Sequence, residues 1–151
     1  MTTTAIAAVL HEVGGEFKLQ DIVLDDLKTD ELRVRIEACG ICHTDIGAQG
    51  LLAMPAVLGH EGAGIVEEVG IGVSNIAPGD RVIISFGFCN HCPNCFEGRP
   101  YVCDNSVQSN FGGTRLDGSH TTTLDGTAIT ASFFQQSSFA SQVITPVRNT
   151  V

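Results

Sequence analysis

Four cysteines sit close together, Cys89, Cys92, Cys95 and Cys103, in the pattern C-x2-C-x2-C-x7-C. Three thiols this close on one loop can converge on a single ion, and the fourth closes a tetrahedron. Zinc suits four thiolates and has no redox chemistry; a closed four-thiolate shell leaves no open position, so such a site is structural. Pro93, Asn94 and Gly98 help the backbone turn around the ion. Ferredoxin-type loops begin with the same run, but their last spacing is three and Pro follows the last Cys. Here the spacing is seven and Asp104 follows. Two disulfides or unbound thiols are the remaining readings, and a chain without an export signal is expected where thiols stay reduced. His91 lies inside this loop and reads as a solvated residue, since four thiols suffice.

A second group precedes the first. Cys39-Gly40-Ile41-Cys42-His43 contains both C-x-x-C-H, a haem-attachment pattern, and C-x-x-C, a redox pattern. Covalent haem accompanies export, and a thioredoxin-like site needs a βαβ context that is missing here. Downstream comes Gly59-His60-Glu61-Gly62-Ala63-Gly64, a His-Glu pair among glycines that let the backbone approach closely. A thiolate from Cys42 and an imidazole from His60 supply two ligands for a catalytic zinc. Asp45 is a carboxylate able to orient the imidazole through its other ring nitrogen. Taken one at a time, Cys42 is also readable as a buried thiol and His60 as a satisfied core histidine.

The elements that must position these residues are mostly short strands. Ala5 to Leu10, Phe17 to Leu24, Leu32 to Ala38, Gly64 to Val69, Arg81 to Ile84 and Ala140 to Thr145 favour β structure. Residues 32–37 alternate apolar and charged, the pattern of a strand with one wet face. One short helix is expected near His43 to Gln49. Turn signals such as Gly14-Gly15, Gly79-Asp80 and Asp125-Gly126 separate the segments. Asp104 to Phe134 reads as a loop or hairpin excursion. Many short strands joined by tight turns predict a mainly β fold, a partly open antiparallel barrel carrying a small zinc lobe.

Composition narrows the partners. The chain has 151 residues, a net charge of −9 and 43% hydrophobic residues, enough for one domain with a core. The acidic balance disfavours nucleic acid and anionic membrane surfaces. Absence of Trp and few aromatic residues disfavour a base-stacking platform. No apolar run approaches the roughly 20 residues that cross a bilayer. The N-terminus has no basic segment or cleavage site, so a cytoplasmic location is expected.

Taken together, Cys39-Gly-Ile-Cys42-His43-Thr44-Asp45, Gly59-His60-Glu61-Gly62-x-Gly64-x-Val66-x-x-Val69-Gly70, Gly79-Asp80-Arg81-Val82 and the four-cysteine loop closely resemble the zinc-dependent alcohol dehydrogenases of the medium-chain dehydrogenase/reductase superfamily. The resemblance runs from about Val9 onward. The run Phe133-Phe134-Gln135-Gln136-Ser137-Ser138-Phe139-Ala140 looks most like the aryl- or benzyl-alcohol branch.

The resemblance implies a catalytic domain with a chaperonin-10 (GroES)-like barrel over residues 1–151, with residues 89–103 as its structural zinc lobe. It makes Cys42 and His60 catalytic zinc ligands, places Glu61 beside the metal and Asp45 behind His60. It gives Thr44 the alcohol hydroxyl and its proton, puts His43 near the cofactor pyrophosphate, and assigns Cys89, Cys92, Cys95 and Cys103 to the structural zinc. NAD is the implied hydride acceptor, a small alcohol or aldehyde the substrate, and a homodimer or homotetramer the assembly. Many members carry a proton-relaying histidine where this chain has Gly47.

A dinucleotide fingerprint is missing: Gly70-x-Gly72 continues to Asn75, not Gly. The Rossmann domain is therefore expected to lie outside this chain, together with a further cysteine ligand, and the chain alone is expected to be inactive. The rival functions are a structural-zinc barrel acting as a binding module and an electron-transfer protein with haem or iron–sulfur. Phe86, Phe88 and Leu51 are candidates for an apolar wall near the metal or for ordinary core. Thr44, in place of its substrate role, is a candidate helix cap.

Overall fold

The computed structural model describes residues 3–151. β1 (Thr3–Leu10) and β2 (Phe17–Leu24) form a hairpin paired from Thr3 opposite Leu24 to Leu10 opposite Phe17. Alternation orients it: Ala5, Ala7, Val9, Ile22 and Leu24 enter the core, while Ile6 and Leu19 face outward. Its turn holds Gly14 at φ 74°, a left-handed conformation glycine adopts without steric cost. The chain continues through β3 (Glu31–Cys39), α1 (His43–Gly47), β4 (Ala56–Val57), β5 (Gly62–Val69), β6 (Arg81–Ile83), α2 (Pro93–Phe96), α3 (Ser106–Phe111), β7 (Thr122–Leu124), β8 (Thr127–Ala128) and β9 (Gln142–Pro146).

Two sheets result, one ordered β4-β1-β2-β7-β8 and the other β6-β5-β3-β9. Residues 139–141 join them. The Ala8 N–H donates to the Phe139 carbonyl at 2.8 Å and the Ser141 N–H to the Ile6 carbonyl at 2.8 Å, while the Ile36 N–H donates to the Ser141 carbonyl at 3.0 Å. One segment thus bonds to β1 and β3 at once and curls the sheets into the expected partly open barrel. Leu32, Val34, Val66, Val82 and Val143 fill one part of the interior, and Val9, Ile22, Val57 and Ile144 another. Every pairing between named strands is antiparallel among the described residues, so the doubly wound parallel sheet of a dinucleotide-binding domain has no counterpart in them. No described helix is long and apolar enough to cross a membrane.

The predicted strands occur with ends that coincide or differ by one or two residues. In β3, Leu32 and Val34 are buried and Arg35 and Glu37 exposed, as the alternation requires. The stretch from Asp104 to Phe134 departs from expectation in part. It contains a hairpin, β7 to β8, turning at Asp125-Gly126, but also the helix α3. No strong periodicity marks residues 106–111. Tertiary bonding holds them: the buried Asn110 amide accepts the Gly87 N–H at 2.8 Å and donates to the Gly87 carbonyl at 3.0 Å.

The same stretch is riveted to the barrel by Arg115, which is 7% exposed. Its Nε and Nη2 donate to the two carboxylate oxygens of buried Glu31 at 2.7 and 3.0 Å, and Nη1 donates to Asp25 at 2.7 Å. A planar guanidinium matches a carboxylate in this two-pronged geometry. Lys28 also pairs with Asp117, tying the same loop to the start of β3.

Candidate functional site

Antiparallel register assembles the first cluster. Cys39 at the end of β3 lies opposite Gly62 at the start of β5, and the ladder extends one step as the Gly40 N–H donates to the Glu61 carbonyl at 3.1 Å. Residues just past β3 therefore meet residues just before β5. Cys42, His60 and Glu61 each bring a ligand atom to one place, all within 4.8 Å of one another. Gly59 makes the approach possible: its φ is 90°, and a Cβ there would lie 2.5 Å from the Phe139 backbone nitrogen.

Asp45 holds this corner together. The carboxylate is 2% exposed and accepts three hydrogen bonds. Oδ2 accepts the Cys42 N–H at 2.9 Å. Oδ1 accepts the Gly59 N–H at 3.0 Å and contacts His60 Nδ1 at 3.0 Å. A carboxylate only accepts, so Nδ1 carries the proton in this contact and Nε2 is left with its lone pair toward Cys42 and Glu61. The nearest Glu61 oxygen is 4.0 Å from Nε2. One thiol, one imidazole nitrogen and one carboxylate form a donor set that suits zinc.

Local sequence explains α1. Cys42 has extended backbone angles and is its N-cap residue, with Asp45 in the first turn. Thr44 therefore lies inside the helix, which removes the capping role considered for it. Its Oγ1 is 3.6 Å from Cys42 Sγ. His43 and Gly47 are exposed on the same helix.

Phenylalanines outside the metal-ligating motifs supply the apolar neighbours of His60. Phe134 stacks on the imidazole with centroids 4.6 Å apart at 27°, and Phe133 meets it edge-on at 5.4 Å. Phe111 packs against both phenylalanines at 5.3 and 5.9 Å. Leu51 is 69% exposed, Phe86 is exposed, and Phe88 packs against the cluster of buried Cys89, Cys92 and Cys103. Sequence distance hid this: residues 133 and 134 reach His60 only because Ser138 and Phe139 bond to Gly59 and Leu58.

The second cluster is the four-cysteine loop. Cys89 and Cys95 have sulfurs 3.9 Å apart, and Cys92 and Cys103 have sulfurs 4.0 Å apart. Tetrahedral ligation at a Zn–S length of about 2.3 Å requires sulfur separations of about 3.8 Å, so the set fits one zinc. All six cysteines are free thiols, which sets aside the disulfide alternative here. Burial works against a Cys89 thiolate, but N–H donors led by the His91 backbone outweigh it and bring this thiol down to about 6. Burial and the neighbouring Cys92 thiol push Cys95 up to about 12. Gly98 turns the loop at φ 74°, Pro93 opens α2, and the Asn94 amide donates to Asp104 at 2.7 Å. His91 is exposed, with Nδ1 2.9 Å from the Cys89 carbonyl oxygen.

A curled antiparallel barrel with a four-thiol lobe and a Cys–His–Glu corner is the catalytic-domain architecture of a zinc-type dehydrogenase. Residues 28–149 match the alcohol dehydrogenase GroES-like domain, and the chain belongs to that family. It is 41% identical over 98% of its length to a geraniol dehydrogenase of Castellaniella defragrans, of which it spans 40%. Among solved structures it resembles an alcohol dehydrogenase zinc-binding domain protein from Burkholderia ambifaria, with TM-score 0.96 and 37% identity over 100% of this chain and 42% of that one. It also resembles benzyl alcohol dehydrogenase from Acinetobacter calcoaceticus, with TM-score 0.90 and 37% identity over 99% of this chain and 41% of that one. The chain thus spans about two fifths of the length of these relatives.

Proposed function

We propose that this chain is the catalytic domain of a zinc-dependent alcohol dehydrogenase that oxidises a primary, aromatic alcohol to its aldehyde with NAD, residues 89–103 forming its structural zinc lobe. The observation that carries this is the Asp45–His60 contact, which turns Nε2 toward Cys42 and Glu61. Zinc held there acts as a Lewis acid and lowers the pKa of an alcohol oxygen. Cys42 and His60 hold it, Glu61 stands beside it, and Asp45 fixes the imidazole. Thr44 would hold the substrate hydroxyl and relay its proton, releasing its own hydroxyl proton as it takes up the substrate's, and NAD when bound would supply the hydride acceptor. His43, exposed at the start of α1, would stand near the cofactor pyrophosphate.

The aromatic substrate class rests on the phenylalanines packed at His60 and on the likeness to a benzyl alcohol dehydrogenase. Cys89, Cys92, Cys95 and Cys103 close around a second zinc that supplies no chemistry. The cofactor's dinucleotide fold is supplied from outside this chain, so the chain alone binds metal and does not turn over. The partners are small alcohols and aldehydes, the assembly a dimer or tetramer, and the location cytoplasmic.

Zinc quantitation tests the assignment. The purified chain should hold two equivalents of zinc, and Cys42→Ser should hold one. A parent chain with a single zinc that Cys42→Ser leaves in place would overturn the catalytic-metal assignment.

A further inference from the structure

Gln136 is among the most deeply buried polar side chains of the protein, at 1% exposure. It stands in a segment with unusual backbone: Phe134, Gln135 and Ser137 have φ of 52°, 54° and 50°. Side chains rarely adopt that left-handed region, so specific contacts must hold the segment. Ser137 Oγ accepts the Phe133 N–H at 2.9 Å and donates to the Val57 carbonyl at 2.6 Å. The Ser138 N–H donates to the Gly59 carbonyl at 3.0 Å. Together these contacts deliver the Gln136 amide beneath the His60-Glu61 corner.

There the amide bonds to main chain on both sides of Glu61. Oε1 accepts the Gly62 N–H at 3.0 Å, and Nε2 donates to the His60 carbonyl at 2.9 Å. Nε2 also faces the carbonyls of Ser85 at 3.2 Å and Ile84 at 3.4 Å, just past the end of β6. The β5–β6 ladder makes its last bond where the Ile84 N–H donates to the Gly62 carbonyl at 2.8 Å. Beyond that point the amide takes over from the ladder. Of the side chains this long and neutral, only glutamine offers a donor and an acceptor together. Gly62 admits it: a Cβ there would lie 3.0 Å from Gln136 Oε1 and 2.7 Å from Ser138 Cβ.

We propose that Gln136 is a positioning residue of the Cys42–His60–Glu61 cluster. Its amide fixes the peptide units of His60 and Gly62, and so sets the height at which the imidazole and the Glu61 carboxylate face Cys42, which arrives from β3. The inference rests on the metal-binding assignment of that cluster.

The test loads the full chain with cadmium-113 and records its NMR spectrum. A four-thiolate site resonates far downfield of a site with one thiolate, so the lobe reports folding while the corner reports the effect. Gln136→Met keeps the length without hydrogen bonds, and Gln136→Glu keeps the acceptors without the donors. In both, the downfield resonance should stay, the other should shift or broaden, and cadmium affinity at the corner should fall about tenfold. Variants that keep both resonances and the affinity of the parent overturn the proposal. Loss of both resonances in both variants overturns it as well, because Gln136 would then hold the barrel rather than this corner. A parent chain showing the downfield resonance alone overturns the metal assignment itself.

Discussion

Replacing Asp45 by Asn tests the corner most directly, because the side chain keeps its shape and loses one acceptor. In the parent, Oδ1 serves the Gly59 N–H and His60 Nδ1, and Oδ2 serves the Cys42 N–H. With the amide oxygen at the Oδ1 position, its NH2 faces the Cys42 N–H, and that donor is orphaned. An unsatisfied buried donor costs ~1–3 kcal/mol. With the amide flipped, NH2 faces His60 Nδ1 and forces the proton onto Nε2, which removes the lone pair a metal needs. Either arrangement weakens metal binding at the corner, by about 10–100-fold for a partner that orients a ligating histidine. That range equals about 1.4–2.7 kcal/mol. The assay is zinc competition against a chelator on the full chain, with urea denaturation of the metal-free protein alongside. Lower stability with unchanged affinity for the zinc at Cys42 and His60 would refute the orienting role and leave Asp45 as a brace for α1.

Three further outcomes are expected. Cys95→Ser should lose one zinc and make residues 89–103 protease-sensitive while the zinc at Cys42 and His60 remains; unaltered zinc content and digestion would contradict the lobe assignment. Arg115→Met strands the buried Glu31 carboxylate and should destabilise the chain by about 3–5 kcal/mol in urea, whereas adding Glu31→Met should restore most of it; a single variant as stable as the parent would show the ion pair to be dispensable. Thr44→Val in an enzyme joining this domain to a dinucleotide-binding domain should cut alcohol oxidation about 10²–10⁴-fold, with both zincs kept and Thr44→Ser active. Parent-like turnover by the valine variant would remove Thr44 from the proton path.

The four-cysteine cluster was legible in the chain because its spacing is local. C-x2-C-x2-C-x7-C closes on itself through one turn of backbone, and little else is needed to bring the four sulfurs together. The strands were legible for a similar reason: alternation in residues 32–37 is a property of neighbours, and turn glycines punctuate it. Cys42 and His60 were legible as a pair only through the joint motif pattern. Their contact comes from the β3–β5 register, which no single segment encodes.

Tertiary structure alone decided what surrounds them. Asn110 makes a helix of residues expected in a loop by bonding to Gly87, and Arg115 finds Glu31 across the barrel. Phe134 and Gln136 sit in a run whose composition marks neither as a neighbour of His60, and Phe134, Gln135 and Ser137 in it have left-handed backbone where propensity would not place it. Such contacts join residues far apart in sequence, and those of Phe134 and Gln136 depend on the folded barrel bringing the 133–138 segment beneath the corner. Local periodicity reports the face a residue turns inward; which distant partner it meets there is settled only when the strands have found their register.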